Sequence, residues 1–242
     1  MASNEDESPE SRIDIRLLST PPELAEASDV LMQVWGSTTP IVSREMLRAV
    51  EHSGGYIGGA YDGGRLIGVS FGWLAQHHGE RALHSHVTGL LAGTRHSGLG
   101  RSLKFHQREW ARTHDIKWIT WTFDPLVRAN AWFNIEILGG QIAEYLPHFY
   151  GEMTDSINAN DESDRALVAW RVDESCPRPA TDPGQHQQIA VPEDIVSLRK
   201  SDPQLALQWR HNVRSAMMAA LDEGFVIVGF SRDGHYELER QL

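Results

Sequence analysis

Cysteine is nearly absent. Cys176 stands alone in 242 residues, so no disulfide can form within the chain and nothing in it calls for an oxidising compartment. Long apolar runs are missing too: none approaches the roughly 20 residues that cross a bilayer, and the acidic, Ser-rich start from Met1 to Arg12 lacks the basic-then-apolar order of a secretion signal. A cytoplasmic protein with no membrane partner is expected. Positive charge is scarce, with 22 Lys plus Arg against 33 Asp plus Glu and a formal net charge of -11. That balance disfavours polyanions, so no nucleic-acid partner is expected. With 40% hydrophobic and 23% charged residues, the chain can still bury an ordinary core.

The order of patterns divides the chain into a disordered leader (1–12), an α/β domain (13–172), a linker (173–188) rich in proline and polar residues, and a small αβ C-terminal extension (189–242). Within the domain, a strand over 13–18 precedes helices opening at Pro21-Pro22-Glu23 and Ser43. Strands over 56–61 and 65–71 flank the hairpin signal Asp62-Gly63-Gly64. A strand over 82–92 leads into an amphipathic helix, with Leu99, Leu103, His106 and Trp110 inward and Arg101, Lys104, Arg108 and Arg112 on the other faces. A strand over 116–123, a helix over 127–138 closed by Gly139-Gly140, and strands over 141–146 and 165–172 complete it. In the extension, short apolar runs over 189–192 and 195–198 come first. Asp202-Pro203 then starts a helix whose stripe, Trp209, Val213, Met217 and Leu221, needs a covering surface, and one reading is a homodimer. A hairpin closes the chain.

The chemistry concentrates after the strand over 82–92. Arg95-His96-Ser97-Gly98-Leu99-Gly100 runs straight into a helix, which gathers successive main-chain N–H groups at a positive helix end and so makes an anion site. The loop lacks the Gly-Lys-Ser/Thr of a triphosphate P-loop and the spacing of a dinucleotide fingerprint.

This segment resembles the diagnostic loop of the Gcn5-related N-acetyltransferase (GNAT) family, Arg/Gln-x-x-Gly-x-Gly/Ala, at every constrained position, and the order of elements from Ile13 to Val172 is the one that family uses. The resemblance implies an α/β (α+β) fold: a mixed, mostly antiparallel sheet splayed between its fourth and fifth strands, flanked by helices, with the C-terminal αβ region added. It implies acetyl-CoA or another acyl-CoA as co-substrate. The main chain of Leu90 and Ala92 would hold the pantetheine arm, and Arg95, His96, Ser97, Gly98, Leu99, Gly100 and Arg101 the pyrophosphate. Asn130 or Asn134 would bond the pantetheine as well. The family's Tyr near the end of the fourth helix is replaced here by Ile135, so Tyr145 or Tyr150 is the nearest phenol to serve as general acid, unless water or direct thiolate release suffices.

An attacking amine must be neutral, which calls for a base. His84 and His86 lie two apart on the strand before the loop and point to one side; His86 is the first choice, with His84 or Glu80 second. Trp121 and Asp124 are the candidates for contacting substrate, Asp124 doubling as a helix cap before Pro125. The histidines between His77 and His114 lack metal-ligand spacing, and no metal is expected. The function implied is transfer of an acyl group to the amine of a small molecule by direct attack. Leu83-His84-Ser85-His86 and the 121–126 and 145–151 segments are similar to acyltransferases encoded alongside amino-acid racemases of the enolase superfamily, which implies a small amino acid acceptor, with succinyl as the alternative to acetyl transfer. The alternative is a GNAT-fold module that binds acyl-CoA without turnover.

Overall fold

The computed structural model describes residues 13–94, 98–151, 162–173 and 179–242. Two compact units divide it, residues 1–119 and 120–242.

In the first unit, strands β1 (Ile13–Leu17), β2 (Tyr56–Asp62), β3 (Arg65–His77) and β4 (Glu80–Leu90) lie side by side in chain order, each antiparallel to the one before. The opening of β5 (Trp118–Phe123) follows β4, and this pair is parallel. Local signals explain the helices. Thr20 and Glu23 form a capping box at the start of α1 (Pro21–Trp35), and the Ser43 side chain accepts the Met46 amide at the start of α2 (Arg44–His52). Ala60 and Tyr61 point to opposite faces of β2, as neighbours in a strand must. Tyr61 joins Leu24, Leu31, Leu47, Ile57, Val69 and Phe71 in the core beneath α1 and α2; Ala60 joins Ile67, Leu99 and Leu103 beneath α3 (Leu99–Thr113).

Two features of this unit depart from the sequence reading. The strands on either side of His77-His78 are longer than expected, because His78 (φ 49°) and Gly79 (φ 75°) make a tight hairpin turn between β3 and β4. Lys104, read as an outward residue, is buried at 4% exposure on the face of α3 that carries Leu103 and Gln107.

The second unit continues β5 and orders it beside β7 (Arg165–Arg171) and β6 (Gln141–Leu146), then adds a three-stranded sheet, β8 (Thr181–Ala190), β10 (His235–Gln241) and β9 (Phe225–Phe230), in that spatial order. The expected helix over 127–138 is α4 (Arg128–Trp132) with a π-helical turn (Phe133–Ile137), closed by Gly139 at φ 72°. The 195–198 run is helical, within α5 (Ile195–Ser201). The second half of the stretch expected to be a linker is strand β8. It is an edge strand, so Pro183 costs no ladder bond, and the register with β10 skips from His186 to Asp182.

Helix α6 (Pro203–Asp222) corrects the argument for a homodimer, because its inward face, Ala206, Arg210, Val213, Met217 and Ala220, is covered by β6, β8 and β9 of the same chain. Polar bonds fix the extension to the rest of its unit: the Arg128 guanidinium donates to the carbonyls of Val191 (2.7 Å) and Pro192 (2.9 Å), the Phe230 amide to Glu136 (2.8 Å), and the Tyr236 hydroxyl to the Pro125 carbonyl (2.7 Å).

Candidate active site

The anion loop is described only in part. Arg95, His96 and Ser97 lie outside the described residues. Gly98 is the N-cap of α3 at φ 76° and offers no side chain to the helix start, and no acidic residue sits in the first turn of α3. A Cβ on Gly98 would meet nothing within 4 Å, so glycine is needed there for its left-handed backbone rather than for space. Leu99 anchors the turn in the core and Arg101 lies over the Phe105 ring at 4.6 Å, while Gly100 is half-buried. On the strand side, Leu90 pairs with Gly68; Ala92 is exposed in the turn that Leu91 closes by accepting the Thr94 amide (3.3 Å) and hydroxyl (2.8 Å).

Strand β4 is not regular. Ser85 pairs with Gly72 and Val87 with Phe71, which leaves His86 as an extra residue, a β-bulge. The bulge stands among aromatic rings: Trp73 packs against His84 and His86 with centroids 5.4 and 4.8 Å away, Phe71 meets His86 edge-on at 5.5 Å, and the two imidazoles are 6.5 Å apart. The two histidines thus share a face, with His86 exposed and His84 half-buried. Desolvation lowers both, that of the exposed His86 coming from the Trp73 and Phe71 rings against one side of it, and His84 falls to about 4 with help from the nearby charges of His86 and Lys104, so both rings are neutral proton acceptors near pH 7. Glu80 is committed elsewhere, accepting the Trp118 indole N–H at 2.7 Å.

In the second unit several expected site residues have structural partners instead. Asp124 is buried between two arginines, accepting from Arg210 at 2.8 and 3.1 Å and from Arg199, while Oδ1 also takes the Leu126 amide at 3.0 Å. Despite the cost of burial, the two guanidiniums hold its carboxyl down to about 2. It is an anchor for the extension, not a substrate contact, and Arg128 does not pair with it. Trp121 likewise belongs to the core, packed edge-on to Trp170 at 6.0 Å with its indole N–H given to Asn134 Oδ1 at 3.1 Å. That bond commits the side-chain oxygen of Asn134, which is buried, whereas Asn130 is exposed on α4.

Tyr145 cannot be a ready general acid. Its hydroxyl donates to Asp164 at 2.7 Å, and burial together with that carboxylate pushes its pKa above the ordinary value of 10.0. Tyr150 is the more exposed phenol, 3.3 Å from the Thr122 hydroxyl. Around Asp164, the side chains of His148, Glu162 and Asp164 converge as metal ligands do, but Arg214 already bonds both carboxylates, reaching Asp164 at 2.6 and 2.8 Å.

Solved structures share this fold. An acetyltransferase of GNAT family from Streptococcus pneumoniae superposes with TM-score 0.54 at 15% identity, covering 67% of this chain and 100% of its own. The chain has the GNAT fold. Ribosomal-protein-S18-alanine N-acetyltransferase from Escherichia coli matches with TM-score 0.53 at 15% identity over 69% of this chain and 100% of that one. An aminoglycoside 6'-N-acetyltransferase complexed with coenzyme A gives TM-score 0.52 at 16% identity, covering 69% and 99%. No family model and no curated protein sequence matches the chain.

What the sequence reading missed is Lys104. Its amine is buried and donates to Ser85 Oγ at 2.8 Å and to Gln107 Oε1 at 3.3 Å. One signal was available: position 104 follows Leu103 and precedes Gln107 by one turn, so it borders the buried stripe of α3.

Proposed function

We propose that this protein is an acyl-CoA-dependent N-acyltransferase that acts on the amine of a small molecule, an amino acid being the first candidate, by direct attack. The observation that carries the reading is the start of α3: in a GNAT fold, the helix that follows the strand bearing two neutral histidines begins at a left-handed glycine, Gly98, with no acidic residue in its first turn. The amides of that first turn, with the exposed Arg101, suit the pyrophosphate of coenzyme A. The main chain of β4 and of the turn after it, including Leu90 and Ala92, would hold the pantetheine arm, and Asn130 remains a candidate for the same task.

In the reaction, an acceptor amine gives up its proton to His86, directly or through water, with His84 as the next acceptor. The neutral amine attacks the thioester carbonyl, the tetrahedral oxyanion is held by main-chain N–H groups, and the thiolate departs as the amide forms, the remaining surplus proton on nitrogen passing to the thiolate directly or through water. No enzyme-bound acyl intermediate is needed. With Ile135 at the family's Tyr position and Tyr145 bonded to Asp164, the thiolate leaves without a phenol from either position. A succinyl donor and an acetyl donor both fit this scheme.

One observation favours a second reading. The commitment of Tyr145 removes the phenol that was to act as acid, as in a module that binds acyl-CoA without turnover. Release of free thiol from acetyl-CoA and succinyl-CoA across a panel of amines tests both. Acceptor-dependent release supports the transferase; tight binding of coenzyme A with no release from either donor establishes the module.

A further inference from the structure

Ser85 and Thr88 are three residues apart on β4, so in a regular strand they would face opposite sides of the sheet. Both instead join one hydrogen-bonded chain beneath α3. Lys104 Nζ donates to Ser85 Oγ (2.8 Å) and to Gln107 Oε1 (3.3 Å), Gln107 Nε2 donates to Ser70 Oγ on β3 (3.4 Å), and Ser70 Oγ shares a hydrogen with Thr88 Oγ1 (2.8 Å). The bulge at His86 is what allows this, by inserting one residue between the two anchors. Ser70, Ser85, Lys104 and Gln107 are each at most 4% exposed. The network therefore grips β4 on both sides of the bulge from the face opposite His84 and His86.

From this geometry we infer that Lys104 is a positioning residue, which clamps the bulged segment of β4 through Ser85 and keeps the His84–His86 pair placed as proton acceptor. The inference rests on the transferase reading for its kinetic consequences, but not for its effect on the two imidazoles. Lys104 is the one member of the chain that can carry charge, and burial pushes its amine down to about 7. The charged and titratable groups acting on His84 are His86 on its own strand and Lys104 from α3, while β3 presents Trp73. Around the amine itself stand Ser85 on β4, Gln107 one turn along α3 and, through Gln107, Ser70 on β3.

The test is Lys104→Met, which keeps the length of the side chain and removes both donor and charge. In the folded variant the dissociation constant for coenzyme A stays within about 2-fold of wild type, because the first turn of α3 is untouched, while kcat falls about 10- to 100-fold. Loss of the nearby positive charge raises the His84 pKa, so the NMR titration of the His84 ring moves to higher pH, by on the order of half a unit. A folded Lys104→Met protein whose imidazole titrations match wild type overturns the inference, whatever the activity. If wild type itself turns over no acyl donor, the transferase reading fails while the titration still decides the role of Lys104. Should Lys104→Met not fold, Ser85→Ala removes the link and leaves the amine: shifted His86 ring resonances are expected, and an unchanged spectrum overturns the clamp.

Discussion

Replacing Asp124 by Asn is the sharpest test of what the C-terminal extension does. The carboxylate is buried and takes bonds from Arg199 on α5 and Arg210 on α6, and Arg210 is itself fully buried. A neutral amide keeps the volume but takes the Asp124 charge away from two buried guanidiniums, and breaking such a buried pair costs about 3–5 kcal/mol. At about 2–4 °C per kcal/mol for a protein of this size, the melting temperature should fall by roughly 6–20 °C. Protonation is milder, since the neutral acid still accepts a hydrogen bond. Moving the carboxyl from 3.8 to about 2 corresponds to roughly 2–3 kcal/mol. Because the folded value is the lower one, this stability is fully present above about pH 4 and is lost as pH falls through about 2. Calorimetric melts of wild type and Asp124→Asn at pH 7, with wild type repeated down to pH 2.5, read both effects. A variant that melts within about 2 °C of wild type yet shows a raised KM for the acceptor would refute the anchoring role and restore Asp124 to the substrate.

Three further outcomes follow from the same geometry. Tyr145→Phe should leave kcat within about 3-fold of wild type but destabilise by about 1–3 kcal/mol, because Asp164 loses a donor; a loss of kcat beyond about 100-fold without loss of stability would return Tyr145 to the chemistry. Gly98→Ala meets no steric obstacle, so its cost should be about 1–2 kcal/mol of left-handed strain, read as a lowered melting temperature and weaker coenzyme A binding, with kcat at saturation retained. Truncation after residue 178 removes Tyr236, Arg210, Arg199 and the carbonyls that hold Arg128. The remaining chain should aggregate on gel filtration, and a soluble, cooperatively melting product would show that the extension is dispensable.

Much of the first unit was legible because its signals are local. A capping box at Thr20 and Glu23, a Ser43 cap and the glycines after Asp62 each act within a few residues, and the elements they bound fall where the pattern puts them. The β3–β4 turn escaped notice because Gln76-His77-His78-Gly79-Glu80 is polar enough to pass for a loop, although His78 at positive φ makes it a two-residue hairpin. Composition misled again at 181–188, where Pro183-Gly184-Gln185 marks a skip in the register of an edge strand rather than the middle of a linker. The same holds for the charged groups that matter most. Lys104 was counted as an outward residue because charge normally faces water, and Arg210 was not singled out; their partners, Ser85 19 residues from Lys104 and Asp124 86 residues from Arg210, are set by tertiary packing. By contrast, His84 and His86 were legible as a same-side pair from strand periodicity alone, but the bulge that isolates His86 depends on the register with β3.

Amide NMR during a titration with desulfo-coenzyme A, an inert analogue of the carrier, tests the central claim most directly. Saturable shifts of the Gly98, Leu99, Gly100 and Arg101 N–H signals, matched by competitive inhibition against acyl-CoA, are predicted. Saturable binding that leaves those four signals in place, or no binding at millimolar ligand, would contradict the account.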